Sequence, residues 1–356
     1  MYESVSKIVN DEIFVSVKDF NHPLYLKLES LNPAGSVKLK TACGLLEDAV
    51  ESGRVTQNTV FIESSSGNLG VALAMICAER GLKFTCVIDP NCSAQNERTM
   101  RAYGASIVKV TEKDGNGGYL GTRISYIRNK LVESPDHLWL NQYENKANPE
   151  AHSRRTAASI NRNFERIDYL FVGAGTTGTL MGCLNHFSRY RPETRVVAVD
   201  SVGSITFDRP PAPRYIPGLG TSKRPPIFES RGIYAAEMVP EAQTVLMCRH
   251  LTKSQGMFIG GSTGTVLAGV YAWRNRIPRD AVVVAISPDW GERYLDTVYD
   301  DNWVRNLFPA EVLSGDLAYM EDFQNQTLTP TVGIAPGWRA CTPQVAVSDR
   351  PYPVAL

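Results

Sequence analysis

Lys38 is the first residue in the chain that could do chemistry, because of what precedes it. Leu31-Asn32-Pro33-Ala34-Gly35-Ser36-Val37-Lys38 sets one amine just past a turn. Pro33 fixes its own φ and Gly35 admits a tight bend, so composition pre-sets the turn. Ser36 suits the N-cap of the helix that residues 37–53 predict. Lys38 then stands in a first helical turn, where the dipole disfavours the ammonium and favours a neutral, nucleophilic amine. Taken alone, a first-turn lysine is an ordinary surface residue. Three glycine- and hydroxyl-rich loops change that.

The first loop is Glu63-Ser64-Ser65-Ser66-Gly67-Asn68-Leu69-Gly70, between a predicted strand and a predicted helix. Free amides and the Ser65 and Ser66 hydroxyls around Gly67 make an anion site of carboxylate size. Asn68 adds an amide. The second is Val172-Gly173-Ala174-Gly175-Thr176-Thr177-Gly178-Thr179, placed the same way. Its glycines let backbone amides close around a phosphate, with Thr176, Thr177 and Thr179 as further donors. Gly173, Gly175 and Gly178 also satisfy GxGxxG, with Asp200 at the end of the next strand, so a dinucleotide site competes on paper. That reading leaves Lys38 and Asn68 without a role. The third is Gly260-Gly261-Ser262-Thr263-Gly264, where Ser262 can offer a neutral hydroxyl to a ring nitrogen. Each loop alone reads as a helix cap. Together they match pyridoxal phosphate, which needs an amine, a phosphate cup, a ring-nitrogen partner and a hydrogen bond to its phenolic oxygen. Lys38, Gly175 to Thr179, Ser262 and Asn68 supply these in turn.

The elements that must position these loops alternate. Strands are predicted at 24–29, 60–63, 84–88, 106–110, 169–172, 196–200, 257–259 and 282–286. Helices are predicted at 70–80, 94–103, 118–132, 150–163, 178–189, 240–255 and 264–276. Such alternation means an α/β fold with parallel sheets and ligands at the carboxyl ends of strands. The glycine-rich segment 113–118, the Pro-, Gly- and Arg-rich segment 206–226 and the aperiodic stretch after about Pro309 interrupt it. Residues 327–356 read as a tail wrapping a surface or another subunit.

At 356 residues the chain can hold two domains with sizeable cores. Lys plus Arg equal Asp plus Glu at 37 each, which gives no sign of a nucleic-acid partner. No apolar run suits a membrane span, and Met1-Tyr2-Glu3-Ser4 does not open a signal peptide, so a cytoplasmic protein is expected. The seven cysteines form no CxxC and read as buried free thiols, and the five histidines show no metal-ligand spacing.

The motifs resemble those of fold-type II pyridoxal phosphate enzymes, the cysteine synthase and cystathionine β-synthase superfamily, over about residues 20–300. Asn32 to Lys38 is similar to the family's Schiff-base motif, Ser65-Ser66-Gly67-Asn68 to its substrate-carboxylate loop, and Gly175 to Thr179 to its phosphate loop. Asn141-Gln142-Tyr143 resembles a segment whose Gln contacts the substrate carboxylate, and Pro288 to Tyr294 the segment closing the C-terminal core. The resemblance implies a tryptophan synthase β-like fold of two α/β domains with the cofactor in the cleft between them. It implies an N-terminal segment, 1–38, packing with the C-terminal domain, and a smaller mobile substrate-binding domain at 39–147. A larger phosphate-binding domain at 148–309 and an irregular tail at 310–356 would follow. A homodimer acting on small amino acids is also implied.

Departures narrow the match. Leu69 stands where cysteine synthases carry Thr, Tyr143 where they usually carry Phe, and Leu39-Lys40 where they carry Asp-Arg; their early Thr-Pro motif is absent around Asn10 to Phe14. Residues 63–73, 117–123 and 218–222 resemble instead the N-(2-amino-2-carboxyethyl)-L-glutamate synthase branch, which feeds 2,3-diaminopropionate into siderophores and peptide antibiotics. That branch implies β-replacement of the phosphate of O-phospho-L-serine by the amine of L-glutamate. Arg123 is then the cation expected at the leaving phosphate, and Tyr143 a residue orienting the second step. Cysteine synthesis from O-phosphoserine or O-acetylserine is the alternative.

Overall fold

The computed structural model of the chain describes residues 2–115 and 117–324. Its strands are β1 (Phe14–Val17), β2 (Leu24–Leu28), β3 (Val60–Ser64), β4 (Lys83–Ile88), β5 (Ser106–Lys109), β6 (His137–Trp139), β7 (Tyr169–Gly173), β8 (Arg195–Ser201), β9 (Ala235–Val239) and β10 (Val283–Ser287). They form a six-stranded sheet, β1-β2-β10-β7-β8-β9, and a four-stranded sheet, β5-β4-β3-β6. Every pair is parallel except β1 with β2. The N-terminal β2 is thus inserted beside β10, with Leu24 opposite Val283.

Period-2 alternation explains the layering of the larger sheet. Phe171 of β7 packs with Val197, Val199 and the helices Glu241–Gln255 and Gly261–Ala272. Its neighbours Leu170 and Val172 face the opposite layer, with Leu180, Cys183 and Phe187 of the helix Gly178–Tyr190. The smaller sheet has its own core, to which the helix Lys38–Glu51 contributes Leu39, Ala42, Leu45, Leu46 and Ala49 at helical spacing.

Seven of the predicted strands form; residues 257–259 do not. They make only an isolated bridge, Ile259 to Trp290. The helix Glu241–Gln255 ends at Gly256 in left-handed geometry (φ 67°), and four residues later, at Gly260, the next helix is capped. The Met257 amide donates to Leu251 O at 3.1 Å and the Ile259 amide to Met257 O at 3.1 Å, so neither is offered to a ladder. The predicted helix at 150–163 starts earlier and runs through Ala147–His152, a π turn at Ser153–Ala157 and Ala158–Asn163. After Pro309, short 3₁₀ turns bring Val312, Met320 and Phe323 onto the main core. The segment 327–356 lies outside the described residues. Among the described residues, six cysteines are buried free thiols and no helix is long and apolar enough to cross a membrane.

Candidate active site

Two of the three loops leave the strand-to-helix edge of the sheets, after β3 and β7, and the third, at Gly260 to Gly264, follows the isolated bridge of Ile259 to Trp290. The turn before Lys38 follows β2 and is tied to the end of β10: the Glu29 amide donates to Ser287 O at 2.9 Å and the Val37 amide to Pro288 O at 2.8 Å. Val37 takes the N-cap position, one residue later than predicted, while the Ser36 hydroxyl accepts from the Lys38 amide at 3.3 Å. Lys38 Nζ crosses to the second loop and donates to Thr176 Oγ1 at 3.3 Å. Burial pulls the Lys38 ammonium down to about 8, with the Glu63 carboxylate pulling the other way. The amine is therefore activated as expected, with desolvation the dominant cause in place of the helix dipole.

The loop at Gly175 to Thr179 fits a phosphate by its own geometry. A Cβ on Gly175 would come within 2.6 Å of Gly218 O, and one on Gly178 would collide with the Asn148 amide, so only glycine lets the backbone close up here. Thr177 caps the following helix in left-handed geometry (φ 65°). Its Oγ1 is buried and has no hydrogen-bond partner, an orphaned donor at the head of a helix. The first helical bond outside the loop runs from the Met181 amide to Thr177 O at 2.8 Å, which leaves the first-turn amides for an anion. Thr179 Oγ1 lies 3.4 Å from His152 Nε2. His152 is fully buried and held far below its ordinary pKa by burial and by Lys38 and Lys40, so it is a neutral support.

In the first loop the hydroxyls serve the turn. Ser65 Oγ accepts from the Gly70 amide at 3.0 Å and the Gly67 amide at 3.4 Å. Ser66 Oγ accepts from the Asp89 amide at 3.0 Å and from Arg123 Nη1 at 3.3 Å. Asn68 Nδ2 donates to Asp289 Oδ2 at 2.7 Å, and Arg293 donates to Asn68 Oδ1. Leu69 is 1% exposed in the core of the smaller sheet. The missing threonine hydroxyl is thus replaced by packing.

Asp289 joins the parts. Besides Asn68 it accepts from the Tyr294 hydroxyl at 2.9 Å, and its backbone bridges Ser36 and receives the Gly260 amide at 3.1 Å. One residue therefore contacts the lysine turn, the Asn68 loop and the Ser262 loop. Burial pushes its carboxyl up, and Asn68, Tyr294 and Ser262 bond to it in opposition. Ser262, 3% exposed, sits against the Asp289 carboxyl and the Tyr294 hydroxyl. Asp289 and Tyr294 were not among the expected site residues. The usable signal was position: Asp289 follows the carboxyl end of β10, where open α/β sheets hold their ligands.

Arg123 is drawn inward from its helix, Leu120–Glu133, to Asp89, with Nε 3.2 Å from Oδ2 and side chains 11% and 5% exposed. Gln142 donates from Nε2 to Ser64 O at 3.1 Å and from its backbone to Glu63 Oε2 at 3.2 Å. Glu63 is fully buried beneath them and burial pushes it up to about 7, against bonds from Trp139, Ser64 and Gln142. Tyr143 is half-buried beside Ser64, Arg123 and Glu63, and burial raises its phenol. The structure thus gathers Asn68 and Ser262 about Asp289, and brings Lys38 to Thr176. It gathers Ser66, Arg123, Gln142 and Tyr143 about Glu63 and Asp89.

The comparisons agree with this architecture. The family described as pyridoxal-phosphate dependent enzymes matches residues 13–289. The chain is 42% identical over 285 residues to the N-(2-amino-2-carboxyethyl)-L-glutamate synthase of Ralstonia nicotianae, covering 80% of this chain and 84% of that protein. Among solved structures it resembles O-ureido-L-serine synthase, with a TM-score of 0.78 and 31% identity over 86% of this chain and 99% of the other. The O-acetylserine dependent cystathionine beta-synthase of Helicobacter pylori also has a TM-score of 0.78, at 27% identity over 83% of this chain and 98% of the other. The buried amine, the glycine-built anion cup and the two-sheet α/β frame of fold-type II agree with these matches, and the chain belongs to the family of pyridoxal-phosphate dependent enzymes.

Proposed function

We propose that this enzyme joins O-phospho-L-serine to L-glutamate, giving N-(2-amino-2-carboxyethyl)-L-glutamate and phosphate, a precursor of 2,3-diaminopropionate. The observation that carries it is the 42% identity over most of the chain to a synthase of that name, with Arg123 placed beside Ser66. In the reaction the substrate's Cβ–O bond breaks and phosphate leaves with the electron pair. A Cβ–N bond to glutamate then forms as the amine gives up a proton. Cysteine synthesis is less supported, since Leu69 is buried in the core and Tyr143 replaces the expected Phe.

Bound pyridoxal phosphate supplies the electron sink that makes the substrate's Cα proton acidic and its β-substituent a leaving group. Lys38 would hold its aldehyde carbon, Thr176 to Thr179 its phosphate, Ser262 its ring nitrogen and Asn68 its phenolic oxygen. Lys38 Nζ, with a pKa brought to about 8, has a usable neutral fraction near neutral pH and serves as the base at Cα. Ser262 presents a hydroxyl where a carboxylate would protonate the ring, and this favours elimination over transamination. The Ser65 and Ser66 hydroxyls, which serve the turn as acceptors and can still donate, would orient the substrate carboxylate with Gln142. Arg123 meets the leaving phosphate with a charge-assisted bond.

Residues 39–147 are read as the mobile domain, which the separate core of the smaller sheet supports. The buried unpaired thiols favour a reducing, cytoplasmic setting. The assembly is read as a homodimer, which light scattering tests. The decisive experiment for the activity is mass analysis of products from O-phosphoserine with a panel of amino acids and sulfide. A product retaining both the serine and glutamate skeletons is expected. Cysteine from sulfide, with no amino-acid adduct, would return the chain to the cysteine synthases.

A further inference from the structure

The side-chain amide of Asn68 is gripped at both ends. Arg293 Nη1 donates to its Oδ1, and its Nδ2 donates to Asp289 Oδ2 at 2.7 Å. A guanidinium can only donate and a carboxylate oxygen accepts, so these two partners allow the amide one orientation. Asp289 is 1% exposed. Its Oδ2 also accepts from the Tyr294 hydroxyl at 2.9 Å, while Oδ1 is buried without a hydrogen-bond partner. Burial pushes the carboxyl up, and a proton taken there would go to Oδ1, leaving Oδ2 as the acceptor Asn68 needs. Gly260 makes room for this carboxylate, since a Cβ there would collide with Oδ1. Arg293 is anchored in turn: its Nη2 donates to Ala34 O at 2.6 Å, in the turn before Lys38. The grip spans the two sheets. Asn68 heads the helix Asn68–Glu79, packed in the core of the smaller sheet, while Asp289 and Arg293 follow β10 of the larger one. Among the described residues the Asn68 side chain makes no further hydrogen bond, so one hydrogen of Nδ2 is left for a ligand.

We infer that Asp289 and Arg293 are positioning residues that fix the Asn68 amide so that its spare N–H serves the cofactor's phenolic oxygen. The inference rests on the proposed place of Asn68 at that oxygen and adds the pair that makes it a donor there. An amide turned the other way would set its carbonyl oxygen against a phenolate and repel it.

The test uses the full chain and compares Asp289→Ala and Arg293→Met, each with and without Asn68→Ala. Cofactor-free protein is titrated with pyridoxal phosphate, and the absorption of the bound cofactor is recorded. Each single change should raise the Kd for pyridoxal phosphate about tenfold, the low end for a charge-assisted contact. Each should also move absorption from the phenolate band to the shorter-wavelength band of the neutral phenol. In the Asn68→Ala background either change should alter the Kd less than about twofold, because the side chain through which it acts is gone. Equal weakening in both backgrounds, with the balance of the two bands unmoved, would mean lost packing and would overturn the assignment. A wild-type Kd and spectrum in either folded variant would overturn it too. Where Asp289→Ala fails to fold by circular dichroism, Arg293→Met decides, since it releases the other end of the same amide. Product analysis is independent of these readouts: cysteine as the only product would overturn the proposed reaction and leave the grip on Asn68 standing.

Discussion

Replacing Arg123 should expose two effects that the structure allows to be separated. Its guanidinium lies 3.2 Å from Asp89 Oδ2, with both side chains nearly out of solvent, and it donates to Ser66 Oγ at 3.3 Å. Arg123→Ala leaves the Asp89 carboxylate buried without its cation. Breaking a buried pair from one side costs about 3–5 kcal/mol. Asp89 keeps the Asn91 amide at 2.8 Å, which places the expected loss at the lower end, about 3 kcal/mol. Removing both charges with Asp89→Asn should recover most of that in urea unfolding. The catalytic effect is of a different kind. A charge-assisted contact to the leaving phosphate is worth about 1.5–3 kcal/mol, and Asp89 already neutralises part of the cation, so about a tenfold loss is expected. The loss should fall on kcat/KM for O-phosphoserine and spare O-acetylserine, in the single and the double variant alike. Equal losses for both donors would refute the leaving-group role and assign Arg123 to the substrate carboxylate they share. A double variant as unstable as the single one would refute the reading of the ion pair.

Lys38→Ala should abolish turnover and borohydride-trapped attachment of cofactor to the peptide spanning residue 38, with little change in melting, since among the described residues its side chain makes one hydrogen bond, to Thr176; a trapped adduct on another lysine refutes the assignment. Lys40 is 1% exposed and pairs with Glu29 at 2.6 Å and Asp11 at 2.5 Å, so Lys40→Met should destabilise by about 3 kcal/mol, measured by urea midpoint and partly restored by Glu29→Gln. Burial raises Glu63 from 4.5 to about 7, so the folded state keeps a proton that the unfolded chain has lost, and stability should fall as pH rises from about 4.5 to 7. Glu63→Gln should flatten that slope by up to one proton, at most about 3 kcal/mol over the window; an unchanged slope would show that Glu63 ionises normally.

The chemistry was legible in the sequence because each part of it is local. A turn of Asn, Pro and Gly before Lys38 and a run of Gly and Thr at 173–179 state their backbone geometry in a few consecutive residues. Seven strands were legible for the same reason, being short β-branched runs between helices. The strands that escaped, β1, β6 and β9, all lie at sheet edges or bear only half-buried faces. An edge strand buries less apolar surface, so its sequence carries a weaker pattern. Pairing of β2 with β10 joins Leu24 to Val283, 259 positions apart, and no local signal announces it.

Tertiary structure alone decided how the parts are supported. Lys38 was readable as an amine, but its shift to about 8 comes from burial, a property of the whole fold. Asn68 was readable as an amide in a loop, yet its partners Asp289 and Arg293 arrive from more than two hundred residues away. Lys40 looked like a departure from a motif and proved to be an internal cation held between Asp11 and Glu29. Residue type and short spacing determine which groups are available and what turn presents them. Desolvation and long-range partners determine their charge and their aim, and these exist only once the two sheets have closed around them.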